Sequence, residues 1–185
     1  MSEFIIATHP AKWYRVCDTN LPHPGERLHA SLEGRYVTIF RNKGKLSAID
    51  SICYHAGGPL TLGKVEDIED LGITVVLCPW HRYPVSIDTG VRAYQGVELI
   101  GGKPVNLGWK LGKVVQRPHE VVEMQSGVYI SLQVVDAGAE EQCPSDTDAS
   151  NEHCISSAGY HIHATVDTPV TSEEENMIRA ARETS

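Results

Sequence analysis

Two short stretches constrain this chain more than any others. Residues 53–60 read CYHAGGPL and residues 78–81 read CPWH, so Cys53 and His55 are followed, after a gap of 22 residues, by Cys78 and His81. Thiolate and imidazole are strong ligands for transition metals. If all four side chains serve one centre, the fold must bring two separate loops to one place. Ala56-Gly57-Gly58 leaves the backbone free to approach that centre closely. Pro59 and Pro79 stiffen the two loops.

The rest of residues 1–135 reads as short strands broken by turns. Residues 37–41 and 45–50 are β-rich and flank Asn42-Lys43-Gly44, a sequence suited to a tight hairpin with glycine in the left-handed position. Residues 73–77 are a continuous apolar run suited to a buried strand, 85–88 alternate before Thr89-Gly90, and 128–134 predict a closing strand. The Gly-, Lys- and Pro-rich stretch 101–118 predicts loops with one short strand at 114–117. No helical stripe precedes residue 170. Such a pattern predicts an all-β sandwich or small barrel. Trp13 is expected in the first-strand core and Cys17 as a buried small hydrophobe. His9, His23, His29 and His119 are expected at the surface or internally satisfied. Trp80 and Tyr83 are expected to pack beside the metal centre and shield it.

Charge divides the chain. Residues 136–185 hold 11 acids and 2 arginines, whereas residues 1–135 hold 13 acids and 14 bases, so the last fifty residues account for the net charge of −8. That balance excludes a basic nucleic-acid surface. The segment 137–157 is rich in Ser, Asp, Glu and Ala and has too little apolar surface to offset its ordering entropy. The reading is therefore a domain over 1–135 and an acidic, flexible tail over 136–185. A short helix is expected at 172–182, with Ser172 as N-cap, Glu173–Glu175 in the first turn, and Arg179 and Arg182 near the end. The acidic run Glu66-Asp67-Ile68-Glu69-Asp70 is read as a solvated hairpin extension. No apolar run approaches the roughly 18 residues of a membrane span, and the N-terminus has no secretory character, so the expected setting is cytoplasmic with no membrane partner.

Five cysteines, an odd number, argue for metal binding or burial rather than a disulfide framework. Zinc in a Cys₂His₂ tetrahedron is the first candidate. Zinc fingers, however, usually pair Cys with Cys and His with His in separate loops. Here each loop supplies one of each, which suits two irons bridged by sulfide, one with both thiolates and the other with both imidazoles. Neutral imidazoles remove negative charge and raise the reduction potential. In the last fifty residues Cys143, Cys154, His161, His163 and Asp167 have metal-ligating side chains, but their spacing matches no motif with a mechanism.

The motif C-x-H-x-G-G, then C-P-W-H, then a strand ending in Thr89-Gly90, resembles the Rieske [2Fe–2S] family, most of all its small soluble ferredoxins. The resemblance covers about residues 10–135. It implies an antiparallel β-sandwich with two cluster loops at one tip. It also implies one [2Fe–2S] cluster per chain, with Cys53 and Cys78 on one iron and His55 and His81 on the other. In the cytochrome bc branch of the family each loop carries a further cysteine, and the two form a disulfide; the corresponding positions here are Gly58 and Trp80. That branch also places a serine after the second histidine, where this chain has Arg82 and Tyr83. These departures imply the lower end of the Rieske range, about −150 mV.

Three functions follow as expectations. The first is a one-electron carrier that is not itself an enzyme, taking electrons from a flavoprotein or ferredoxin reductase and passing them to an oxygenase or other redox enzyme. The second is a redox-sensing or accessory subunit of a redox complex. The third is a non-haem iron oxygenase, which needs two histidines and a carboxylate on a further iron; His161, His163 and Asp167 have the right types without that family's spacing.

Overall fold

A computed structural model of the chain describes residues 12–132, 144–147, 151 and 161–183. Twelve strands among these residues form two sheets. The first contains β1 (Trp13–Cys17), β2 (Arg27–Leu32), β3 (Arg35–Asn42), β4 (Lys45–Asp50), β10 (Pro118–Met124), β11 (Gly127–Ser131) and β12 (Ala164–Val166), in the order β1-β11-β10-β4-β3-β2-β12. The second contains β5 (Lys64–Ile68), β6 (Ile73–Leu77), β7 (Pro84–Ser86), β8 (Val91–Ile100) and β9 (Lys103–Val114), in chain order. Pairing is antiparallel throughout, except that β12 runs parallel to β2.

Strand alternation explains how the sheets stack. Val37 and Ile39 of β3 point into a core shared with Tyr14, Leu32, Val128 and Ile130. Phe40, on the opposite face of β3, joins Ile49, Val76, Val85 and Ile87 in a second core beneath the smaller sheet. Cys53 and Cys78 belong to this second core, so the metal-ligand motif is built where the two sheets meet. The β3–β4 hairpin closes as expected, with Lys43 and Gly44 both left-handed (φ 51° and 82°), the geometry of a type I′ turn.

Several expectations change. Residues 103–114, read as loops, form the long strand β9 paired with β8, whereas 115–117 are not a strand. Gly101, Gly102, Pro104, Gly108 and Gly112 dilute the local β signal, and pairing with β8 supplies what propensity does not. The closing strand ends at Ser131. The acidic run does lie on a hairpin: β5 passes through a 3₁₀ turn at Glu69–Leu71 into β6, and Asp67 pairs with Lys43 and accepts from Thr74.

The largest correction concerns the tail. Residues 161–183 are packed on the first sheet. β12 extends that sheet beyond β2, and helix α1 (Ser172–Glu183) places Ile178 against Trp13 and Tyr129. Val170 N–H donates to the Trp13 carbonyl. Composition missed this because only a few apolar residues, Ile162, Ala164, Val166, Val170 and Ile178, make the contacts. The helix is capped by Thr171 rather than Ser172: Glu174 N–H donates to Thr171 Oγ1, and Thr171 N–H donates back to Glu174 Oε2, a capping box. The expected domain edge near 136, together with Cys143 and Cys154, lies outside the described residues.

His29 and His119 are both buried. His119 Nε2 donates to Asp50 at 2.9 Å. Burial, then the nearby His163, pushes the pKa of His29 down to about 4.

Two tests follow. Ile178→Ala, at a fully buried site, is expected to cost about 2–4 kcal/mol in urea unfolding. The neutral native His29 also makes stability fall as pH drops from about 6.5 towards 4, because the unfolded chain binds that proton first. Unfolding free energies from urea titrations across this interval are expected to fall less steeply in His29→Phe, by up to about 1.4 kcal/mol per pH unit.

Candidate metal centre

The two loops are the same turn made twice. In the first, Cys53 N–H donates to the Gly58 carbonyl at 2.8 Å, and Gly57 N–H donates to the Cys53 carbonyl at 2.9 Å. In the second, Cys78 N–H donates to the Tyr83 carbonyl at 3.0 Å, and Arg82 N–H donates to the Cys78 carbonyl at 2.7 Å. The residue four places after each cysteine is left-handed, Gly57 at φ 73° and Arg82 at φ 56°. Each turn folds back over its own cysteine and aims consecutive backbone N–H groups at the sulfur. His55 and Ala56 N–H point to the Cys53 sulfur, and Trp80 and His81 N–H point to the Cys78 sulfur.

Both thiols are buried, and their sulfurs lie within hydrogen-bonding reach of each other. The mutual hydrogen bond, then burial, raises the Cys53 pKa. The same bond, supported by the Trp80 and His81 N–H groups, lowers that of Cys78. Two buried sulfurs facing each other, with backbone N–H groups aimed at them, make a surrounding suited to thiolate ligation. Gly58 makes this approach possible. A Cβ there would stand 2.6 Å from Cys78 Sγ and 3.2 Å from the Trp80 ring. Positions 58 and 80 thus face each other, with an indole where a disulfide would otherwise cross.

His55 and His81 lie side by side on the outside, rings 4.9 Å apart and nearly perpendicular. Tyr83 covers the His55 ring at 4.3 Å and meets Tyr54 edge-on. Trp80 and Tyr83 remain 48% and 37% exposed, so they flank the imidazoles without sealing them. The structure therefore brings all four predicted side chains together as a buried sulfur pair beneath an exposed imidazole pair. Among the described residues, no group of three or more His, Cys, Asp or Glu is arranged to hold a single metal ion. A buried thiol pair with an exposed imidazole pair nearby has the donor types of a centre held by two thiolates and two imidazoles.

His161 and His163 stack on each other at 4.9 Å, and His163 Nδ1 accepts the His29 N–H. They are not gathered with Asp167 into a further metal site.

Two supports escaped the sequence reading. Gln116 is fully buried: Nε2 donates to the carbonyls of Asp50 (2.9 Å) and Ile52 (2.7 Å), and Oε1 accepts Tyr54 N–H at 3.1 Å. Asp50 is also fully buried. Arg35 grips both of its oxygens at 2.7 Å, and His119 and Ser145 add further bonds. Although burial works against its charge, these partners hold its pKa near 2. One signal was available, a glutamine directly after the apolar pair Val114-Val115.

The repeated turn makes a signed prediction. Gly57→Ala is expected to lose about 1 kcal/mol in urea unfolding, whereas Arg82→Gly at the equivalent position is expected to gain about 0.5 kcal/mol, because only the second change relieves a left-handed side chain.

A family model for soluble Rieske-type ferredoxins matches residues 19–135. The chain is 38% identical over 109 residues to a Rieske domain-containing protein of Homo sapiens, a match covering 58% of this chain and 66% of that protein. It is 33% identical over 75 residues to cholesterol 7-desaturase nvd 1 of Ciona intestinalis, covering 40% of this chain and 15% of that protein. The matches span less than two thirds of these relatives' own lengths. In fold it is similar to a putative NADH-dependent nitrite reductase small subunit from Mycobacterium tuberculosis, with a TM-score of 0.51 and 18% identity over 69% of this chain and 100% of that one. The chain belongs to the soluble Rieske-type ferredoxins, whose cofactor is a [2Fe–2S] cluster.

Proposed function

We propose that Cys53 and Cys78 ligate one iron of the cluster and His55 and His81 the other, and that the chain is a one-electron carrier. Its donor is a flavoprotein or ferredoxin reductase, and its acceptor an oxygenase or another redox enzyme. The observation that supports this most is the division of the four side chains, with both sulfurs buried and both imidazoles exposed at one end of the molecule.

A bound [2Fe–2S] cluster supplies reversible one-electron chemistry. The chain's own residues would govern how that electron is held and where it leaves. The four N–H groups aimed at the sulfurs stabilise added negative charge. Leu60, Val76, Val85 and Val115 keep water from the thiolate side. On the other side, His55 and His81 are exposed, so an acceptor docking there would meet the imidazoles that would hold the cluster. No part of this role requires a substrate pocket, and the protein acts as a redox component without a reaction of its own. A cytoplasmic setting suits cysteines that ligate iron rather than pair in a disulfide. Among the described residues, no helix is long and apolar enough to cross a membrane.

Low-temperature EPR with iron counting on the same anaerobic sample tests the assignment. A signal appearing only after dithionite, with average g below the free-electron value, and about two irons per chain are expected. About three irons per chain would favour an oxygenase, and bound zinc without a signal would mean a structural metal. Cys53→Ser and Cys78→Ser are each expected to abolish the signal and the visible colour; retention of both in either variant would remove that residue from the ligand set.

A further inference from the structure

We propose that Gln116 is a positioning residue for the cluster, a side chain that ties the first ligand loop to the Gly90 turn beyond the second and so sets the potential. This rests on the ligand assignment above. The three bonds of Gln116 straddle Cys53: two go to carbonyls before it, at Asp50 and Ile52, and one comes from Tyr54 N–H just after it. The side chain therefore fixes the path of the backbone on both sides of the first thiol.

The backbone of Gln116 is fixed from the turn that follows the other loop and β7. Tyr83, whose carbonyl closes the second turn, leads directly into β7. Past β7 the chain turns back, with Gly90 N–H bonded to the Ser86 carbonyl. The Gly90 carbonyl then accepts both Val115 N–H at 2.9 Å and Gln116 N–H at 3.2 Å. Gly90 is left-handed at φ 66°, and a Cβ there would lie 1.8 Å from the Gln116 carbonyl oxygen, so only glycine permits this seat. Gly90, in the turn after β7, is thus the socket that holds the residue gripping the first loop.

Gln116 also selects which amides face sulfur. By accepting Tyr54 N–H, it keeps that donor engaged while His55 and Ala56 N–H serve Cys53. The number and aim of N–H donors at the sulfurs is a main lever on the potential of an iron–sulfur centre. Glutamine is suited to this seat, since it alone among similar-sized residues offers two donors and an acceptor without charge.

The experiment compares holoprotein of the wild type, Gln116→Met, Gln116→Glu and Ile178→Ala. It reads midpoint potential by EPR-monitored titration and the rate of cluster loss to a chelator. Methionine keeps the volume and removes all three bonds; glutamate, held protonated by burial between two carbonyls, keeps the acceptor and one donor and loses one bond. Both Gln116 variants are expected to shift the potential, methionine further than glutamate because it also releases Tyr54 N–H, and methionine is expected to lose cluster about tenfold faster. Ile178→Ala, which destabilises the fold against Trp13 and Tyr129, is expected to leave both readings at the wild-type value. The inference is overturned if the Gln116 variants match the wild type in potential and loss rate, or if Ile178→Ala moves both equally. If methionine prevents folding, glutamate alone decides by the same criteria. A wild type without a reducible EPR signal would instead refute the ligand assignment.

Discussion

The Asp50 carboxylate is the interaction on which the rest of this structure depends. It lies at the end of β4 with no solvent contact, three residues before the first thiol. A charge there is tolerable only when its lone pairs are filled. Arg35 fills two sites from β3, His119 a third from β10, and Ser145 a fourth from residues 144–147. Because an ionised carboxylate only accepts, His119 must present its Nε2 hydrogen. Arg35 and His119 come from different strands of the first sheet, so satisfying one charge fixes where β3, β4 and β10 stand relative to each other. The loop that follows inherits that precision.

Precision at the first loop would be of little use without the same at the second. The chain meets this need with one turn used twice, closed by the same pair of backbone bonds and the same left-handed residue. The histidine position differs, two residues after Cys53 and three after Cys78. Equivalent turns therefore deliver equivalent sulfurs, while the imidazoles arrive from different points and meet edge to face. Gly58 and Gly90 serve this arrangement by what they lack, the first admitting a sulfur and an indole, the second a carbonyl.

The sequence revealed the parts of this structure that rest on local chemistry. Cys53, His55, Cys78 and His81 stand in a spacing few other chains share, and Lys43-Gly44 can hardly do anything but turn. Hidden were the features that depend on distant partners. β9 is almost wholly exposed and glycine-rich, so no burial pattern marks it, and only its ladder with β8 makes it a strand. Gln116 gains its meaning from carbonyls 64 and 66 positions away. Arg82 gave no hint of a left-handed backbone, because its φ is imposed by closure of the turn rather than by residue type. Residues 161–183 read as part of a flexible tail carrying one short helix; Trp13, Tyr129 and the open edge of β2, all distant in sequence, supply the surface on which β12 and α1 pack.

That last arrangement has a bearing on biosynthesis. β2 is made early, yet its outer edge is completed by Ala164, Thr165 and Val166, paired with Ala30, Ser31 and Leu32. Trp13, near the start of the described chain, is covered only once Val170 and Ile178 have been added. During translation the sheet must wait with an unpaired strand edge and an uncovered indole until these late residues leave the ribosome. Long-range closure of this kind slows folding and leaves a growing chain open to misassociation. The nascent chain thus reaches its native sheet last at β12, well after both metal-binding loops have been synthesised.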